Sequence, residues 1–195
     1  MIFLTGVGII RLYEICPEAE KAGTQNAVVT GVTDNTAEVK QGSIFVCVKG
    51  ARFDGHSAAT EMLSKGAVMI VTDHDIKCGK QLVTDNTRLC LARLLNSFYG
   101  KPSEKLGLLA VTGTNGKTTT AHFVKHILTT LGKKCGCVGT AGNDTCSGEL
   151  KPSQHGTPTV PRATVLYSWL GEMVSNGADY CVMEASSQAL DQYRI

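Results

Sequence analysis

The chain has 195 residues, of which 43% are hydrophobic and 18% are charged, and its formal net charge is +2. This composition is typical of a globular protein with a buried core, and the length allows one large domain or two small ones. The mild charge and the lack of any Lys/Arg cluster argue against a nucleic-acid partner.

The eight cysteines are scattered along the sequence, and none forms a C-x-x-C pair. Cys47 and Cys181 lie inside apolar runs, where a reduced thiol behaves as a small hydrophobe. We therefore expect free thiols in a reducing cytoplasm rather than disulfides or a zinc site. No stretch approaches the roughly 18 apolar residues of a membrane span, and the N-terminus lacks signal-peptide features. The sequence predicts a soluble cytoplasmic protein with no membrane partner.

The first hundred residues are predicted to alternate strands with helices. Residues 42–50 (GSIFVCVKG) and 68–72 (VMIVT) are rich in β-branched and apolar side chains and predict two buried strands. Residues 57–67 predict a short helix between them that ends at Gly66. A longer amphipathic helix follows, and its buried face is expected to comprise Leu91, Leu94, Leu95 and Phe98.

The polar segment 101–105 (KPSEK) predicts a connector, so we expect domains at residues 1–102 and 103–195. Beyond it, residues 106–112, 137–140 and 179–187 predict short strands. The helix after the first strand should bury Phe123, Val124, Ile127, Leu128 and Leu131. The helix over residues 161–176 should bury Val165, Leu166, Trp169, Leu170, Met173 and Val174. This alternation predicts a parallel sheet covered by helices, whose carboxyl edge is where ligands collect.

A glycine-rich loop connects the strand at 106–112 to its helix, with the sequence GTNGKT from Gly113 to Thr118. The common phosphate loop, G-x-x-x-x-G-K-[ST], would place its first glycine at position 111, where the chain has Val111. The shorter loop keeps the useful elements: tightly curled amides, a helix N-terminus, the charge of Lys117 and the hydroxyl of Thr118 as a Mg²⁺ ligand. An ordinary strand–helix turn explains the glycines but not the lysine and threonines.

Glu184 ends the strand at 179–187, where an acidic residue can hold Mg²⁺ opposite the loop threonine. A glutamate after a strand is most often a solvated charge. Its place in the same predicted sheet as the glycine loop favours a metal-binding role instead.

The motifs GTNGKTTT, VGTAGN and MEASSQALDQYRI together resemble the Mur ligases, specifically the type that makes UDP-N-acetylmuramoyl tripeptide. Residues 33–56 resemble the uridine-nucleotide-binding domain of these enzymes. The resemblance implies a small mixed α/β N-terminal domain followed by an incomplete P-loop-type parallel sheet covered by helices. It also implies an ATP- and Mg²⁺-dependent ligase of peptidoglycan precursor synthesis, with UDP-N-acetylmuramoyl-peptide and amino-acid substrates; we expect a monomer.

In such enzymes ATP phosphorylates the terminal carboxyl group of UDP-N-acetylmuramoyl-L-alanyl-D-glutamate, and the amino group of meso-diaminopimelate or L-lysine attacks the acyl phosphate. By resemblance, Lys117 and Glu184 are catalytic, and Thr118 and Glu184 bind the metal ion. The ATP phosphates would be held by Gly113, Thr114, Asn115, Gly116, Lys117, Thr118 and Thr119. The muramoyl-peptide substrate would be contacted by Asn35, Arg52, Phe53, Thr157, Ser186, Gln192 and Arg194.

The sequence departs from the family pattern at Asn35, Gly156 and Gln188, where serine, threonine and histidine are usual. The family also continues with further ATPase sequence and a third domain, which implies that this chain alone is inactive. The alternative is a truncated, non-catalytic remnant that binds nucleotides. A folylpolyglutamate synthase is less favoured, because about a hundred residues with a uridine-nucleotide pattern precede the glycine loop.

Overall fold

The structure is a computed structural model that describes residues 10–18, 26–51, 53–151 and 159–195. The chain divides into two compact units, Met1–Phe98 and Tyr99–Ile195. No helix within the described ranges is long and apolar enough to cross a membrane.

The first unit is built around a parallel sheet with the strand order β1-β2-β3-β4. The strands are β1 (Gly31–Thr33), β2 (Ser43–Val46), β3 (Met69–Thr72) and β4 (Gln81–Val83). The helices are α1 (Leu12–Ile15), α2 (Ala59–Ser64) and α3 (Thr87–Phe98), and a 3-10 turn at Gly55–Ala58 precedes α2. All residues of β2 and β3 are buried, as their apolar sequences predict, and Phe45, Met62 and Ile70 form part of one core.

Most predicted elements of this unit are confirmed. Leu91, Leu94 and Leu95 of α3 are buried, whereas Phe98 is only partly buried. Strands β1 and β4 were not predicted, because three-residue segments are too short to carry an alternating pattern.

The second unit contains a sheet with the order β5-β9-β6-β7-β8. The strands are β5 (Gly107–Val111), β6 (Cys135–Val138), β7 (Asn143–Asp144), β8 (Leu150–Lys151) and β9 (Tyr180–Glu184). The helices are α4 (Pro102–Lys105), α5 (Lys117–Thr130), α6 (Ala163–Ser175) and α7 (Ser187–Asp191). Strands β5, β9 and β6 are parallel, as predicted, whereas β7 and β8 are antiparallel additions. The predicted α/β fold class is confirmed, although the sheet of this unit is mixed rather than wholly parallel.

The segment predicted as a polar connector is helical. Residues 102–105 form α4, which begins at the buried Pro102. Proline suits the first position of a helix, because its fixed φ is already helical and its missing N–H would have no partner there. Lys101, with a φ of 57°, turns the chain into this helix.

The prediction for the buried face of α5 is largely wrong. Phe123, Ile127 and Leu131 are 64%, 56% and 70% exposed. The helix instead packs through the buried Ala121 and the partly buried Val124 and Leu128 against strands β6 and β9. The apolar surface of α5 is therefore wider than the face that meets the sheet.

The prediction for α6 is confirmed at its centre. Leu166, Leu170 and Met173 are buried in a core that includes Val138 and Met183. Trp169 and Val174 pack against this core and are partly buried. Val165, in contrast, is 38% exposed, so the predicted apolar face is too wide at this position.

None of the eight cysteines, all of which lie within the described ranges, forms a disulfide, and five of them are buried. Burial raises the pKa of Cys47 to about 12 and that of Cys135 to about 11, so both remain protonated. These thiols occupy the positions expected of small hydrophobic side chains.

Candidate nucleotide and metal site

The glycine loop lies between β5 and α5, at the carboxyl edge of the sheet. Gly113 has a φ of 143° and Gly116 a φ of 80°, which are conformations that favour glycine over other residues. Gly116 is the N-cap of α5, a helix of 14 residues. The first N–H groups of such a helix have no partner within it, and its dipole places partial positive charge at this end. The local geometry is that of an anion-binding loop.

The side chain of Lys117 folds back over the glycine loop. Its Nζ donates hydrogen bonds to the carbonyl oxygens of Gly113, at 2.7 Å, and Thr114, at 3.3 Å. These contacts keep the ammonium charge on the same side as the helix N-terminus. Thr114, Asn115 and the loop glycines are exposed, so a phosphate group can reach them from solvent.

The pairing of distant strands brings Glu184 to this loop. In the register of β5 and β9, Val111 lies opposite Glu184, so the two strands end side by side. The hydroxyl of Thr118, one residue into α5, donates a hydrogen bond of 3.0 Å to Oε1 of Glu184. The structure therefore brings together the two predicted metal ligands, whose role stays a prediction.

Glu184 is only 2% exposed, and hydrogen-bond donors compensate for burying its carboxylate. Thr140 provides two of them: its backbone N–H lies 2.8 Å from Oε1 and its hydroxyl 3.2 Å from Oε2. Gly139 is in contact with the same carboxylate, because a Cβ there would come within 2.3 Å of Oε1.

The geometry of this pair fits a magnesium ion. Both oxygens are hard donors, and two oxygens bound at right angles to one Mg²⁺ lie about 2.9 Å apart, since each sits about 2.0–2.1 Å from the ion. The separation of 3.0 Å between the oxygens of Thr118 and Glu184 is that of an ordinary hydrogen bond, and it is also close to this value. These two residues could hold the ion without a large rearrangement.

Thr140 is a site residue that the sequence reasoning did not identify. It follows β6, which pairs with β9 through Val138 and Met183. The sequence could have indicated Thr140 because it lies at the end of a third predicted strand. The carboxyl ends of parallel strands meet at one edge of a sheet, so this end lies near the glycine loop and Glu184. The hydroxyl of Thr140 also lies 3.4 Å from that of Thr159.

Three of the predicted substrate contacts lie near the end of the chain and are engaged within the protein. Ser186 is the N-cap of α7, and its hydroxyl accepts a hydrogen bond from the N–H of Ala189. Arg194 donates to the carbonyl of Val160, at 3.1 Å, and to the side chain of Gln192. The structure thus brings Gln192 and Arg194 together. Thr157 and Gly156 lie outside the described residues.

The other predicted substrate contacts belong to the first unit. Asn35 forms a turn after β1, in which its Oδ1 accepts from the N–H of Ala37 and its Nδ2 donates to Glu38. Phe53 follows β2 and is 53% exposed. Since β1 and β2 are parallel neighbours, Asn35 and Phe53 both come after strand ends at one edge of the sheet. Arg52 lies outside the described residues.

Comparison with known proteins is consistent with this geometry. Residues 111–195 match the family model described as "Mur ligase middle domain", and residues 28–110 match "Mur ligase family, catalytic domain". The chain belongs to the Mur ligase family. The resemblance predicted from the sequence is thereby confirmed.

The Mur ligases most useful for comparison are named UDP-N-acetylmuramoyl-L-alanyl-D-glutamate--2,6-diaminopimelate ligases. The Clostridium acetobutylicum protein of this name, ligase 2, is 37% identical over 89% of the chain and 36% of its own length. Those of Aquifex aeolicus and Bacillus cereus are 38% and 39% identical over 86% and 88% of the chain, each over 34% of its own length. The chain thus spans about a third of the length of these relatives.

Solved structures share the fold. One described as a UDP-N-acetylmuramoyl-L-alanyl-D-glutamate--2,6-diaminopimelate ligase matches with a TM-score of 0.77 and 24% identity, over 96% of this chain and 38% of its own. The MurF ligase from Thermotoga maritima, solved in complex with ADP, matches with a TM-score of 0.52 and 23% identity. This match covers 80% of this chain and 32% of the other.

Proposed function

We propose that the chain contributes the nucleotide-binding part of an ATP-dependent ligase that adds an amino acid to UDP-N-acetylmuramoyl-L-alanyl-D-glutamate. The hydrogen bond between Thr118 and Glu184 carries this proposal, because it joins the glycine loop to an acidic strand end. The names of the relatives favour diaminopimelate over L-lysine as the amino acid. Under this proposal, residues 1–102 bind the uridine nucleotide and residues 103–195 bind ATP.

The chemical need for ATP follows from the substrate, because a carboxylate is a poor electrophile. Its oxygen attacks the γ-phosphorus of ATP, ADP leaves, and an acyl phosphate forms. The amine then attacks the acyl carbon, its nitrogen releases a proton, phosphate leaves, and the amide remains. The loop amides and Lys117 stabilise the negative charge that shifts between phosphoryl oxygens during the first step.

Thr118 and Glu184 would hold Mg²⁺ in this site. The ion would supply positive charge to the β- and γ-phosphate oxygens. Thr140 positions the carboxylate of Glu184 through two hydrogen bonds, so that the carboxylate remains directed at the loop. The muramoyl-peptide contacts at Asn35, Arg52, Phe53, Thr157, Ser186, Gln192 and Arg194 remain part of the proposal.

The second candidate is a non-catalytic nucleotide-binding remnant. It is favoured by the glutamine at position 188, where the family pattern has a histidine, since an amide oxygen is a weaker ligand than imidazole for most divalent metals. The first candidate requires ATP binding at the loop, whereas the remnant would hold at most a UDP-sugar or ATP. We further propose that the protein is cytoplasmic, since the buried, reduced thiols suit a reducing compartment. A monomer remains part of the proposal.

Titration of the 195-residue protein with Mg-ATP in a calorimeter tests the proposed ATP site. We expect Lys117→Ala to weaken binding at least about tenfold, because a charge-assisted contact to phosphate contributes about 1.5–3 kcal/mol. Lys133→Ala is the matched control, since Lys133 is an exposed lysine beyond the other end of α5. Equal binding by wild type and Lys117→Ala would contradict the proposed site.

A further inference from the structure

A second cluster of polar side chains lies in the first unit, at the carboxyl edge of its parallel sheet. His56 belongs to the 3-10 turn after β2, and Asp73 and His74 directly follow β3. Each of the three side chains offers one ligand atom within 4.8 Å of the others. The nucleotide site described above uses none of them.

The orientation of His56 is fixed by Asp54. Oδ1 of Asp54 lies 2.6 Å from Nδ1 of His56 and 3.1 Å from its backbone N–H. These two contacts hold the His56 ring in place. In the tautomer that donates from Nδ1 to Asp54, Nε2 has a free lone pair and can bind a metal ion.

Nε2 of His56 faces a second carboxylate, that of Asp73. It lies 3.2 Å from Oδ1 of Asp73, yet it finds no hydrogen-bond partner among the described residues. The His56 side chain is only 9% exposed, so water does not readily solvate this nitrogen. A lone pair and a carboxylate oxygen at this distance repel each other unless a proton or a metal ion lies between them.

His74 completes the group on its solvent side. Its Nδ1 lies 2.5 Å from the same Oδ1 of Asp73, and its ring centroid is 4.8 Å from that of His56. The side chains of His74 and Asp73 are 62% and 44% exposed, so the cluster is open to solvent. An ion there could be exchanged and could keep water as a further ligand.

We propose that His56, Asp73 and His74 form a binding site for a divalent transition-metal ion of the zinc class, with Asp54 as the positioning carboxylate. Two imidazoles and one carboxylate with an open position are a common ligand set for Zn²⁺. The contact from Asp54 to Nδ1 of His56 reproduces the carboxylate–histidine–metal arrangement that orients a ligating ring. The ion would join the loop after β2 to the end of β3.

The test is Zn²⁺ binding by the full 195-residue protein, freed of metal and of any tag, in a non-chelating reductant. We expect one ion per chain by equilibrium dialysis and an affinity reduced at least about tenfold in His74→Ala and in Asp73→Asn. Both positions are exposed, so neither change should disturb folding. His126→Ala, an exposed histidine in the second unit, is the matched control and should bind as wild type does.

Two results would overturn the site. Wild-type protein that retains no stoichiometric Zn²⁺ would show that a proton, rather than a metal ion, separates His56 from Asp73. Equal affinity in wild type, His74→Ala and Asp73→Asn would place the ion elsewhere, for example on thiols. The proposal is independent of the ATP site, because loss of Mg-ATP binding in Lys117→Ala would leave Zn²⁺ binding unchanged.

Discussion

At the scale of single residues, the candidate site depends on how closely the backbone approaches Glu184. Gly139 leaves no space for a side chain, since a Cβ would sit 2.3 Å from Oε1 and 3.0 Å from the carboxyl carbon of Glu184. The carboxylate could accommodate a methyl group only by moving, and its hydrogen bonds to Thr118 and Thr140 would then be lost or stretched.

We therefore expect Gly139→Ala to weaken Mg-ATP binding about tenfold, which corresponds to about 1.4 kcal/mol. Calorimetry at fixed Mg²⁺ measures this change, and far-UV circular dichroism establishes that the variant is folded. Gly31→Ala is the control, because a Cβ at Gly31 meets nothing within 4 Å. An unchanged affinity in Gly139→Ala would show that the position of Glu184 does not matter for the nucleotide.

At the scale of elements, α5 and α6 have similar apolar sequence patterns but differ in how much of their apolar surface is buried. Both carry broad apolar faces, yet Leu166 of α6 is 1% exposed whereas Ile127 of α5 is 56% exposed. Exposed apolar side chains contribute little to stability, because folding removes little of their surface from water.

Leu166→Ala should lower the free energy of unfolding by about 2–5 kcal/mol, whereas Ile127→Ala should change it by less than about 1 kcal/mol. Urea unfolding followed by fluorescence measures both, since Trp169 is the single tryptophan and packs against the core that contains Leu166. Similar midpoints for the two variants would mean that α6 is not the better-packed helix.

At the scale of the whole molecule, the chain covers 34–36% of the length of the ligases cited above. The described part contains a candidate phosphate loop and a candidate metal-binding pair. ATP binding and amide formation can therefore be separated experimentally.

We predict that the 195-residue protein binds Mg-ATP but forms no amide from UDP-N-acetylmuramoyl-L-alanyl-D-glutamate and diaminopimelate. Mass spectrometry of the nucleotide-linked peptide, together with phosphate release, measures the reaction. A Mur ligase of full length, assayed in parallel, is the positive control. Turnover that requires the muramoyl dipeptide would contradict this prediction.

Much of the fold could be predicted because its signals are local. The leucines of α3, the centre of α6 and the loop from Gly113 to Thr118 each depend on spacing within one element or on one motif. Such local signals did not predict burial or strand pairing that depends on contacts with distant elements. The exposure of Phe123 and Leu131 depends on which strands pack against α5. The three residues of β4 are defined as a strand by their pairing with β3.

The sequence by itself determined the α/β class, the family, the glycine loop and the identity of Glu184 as its acidic partner. Only the tertiary structure decided that Thr140 and Gly139 surround that carboxylate and that His56 meets Asp73 and His74. The physical reason is strand order. The packing of the whole sheet determines which strands become neighbours. The hydrophobic periodicity of a single segment does not predict that order.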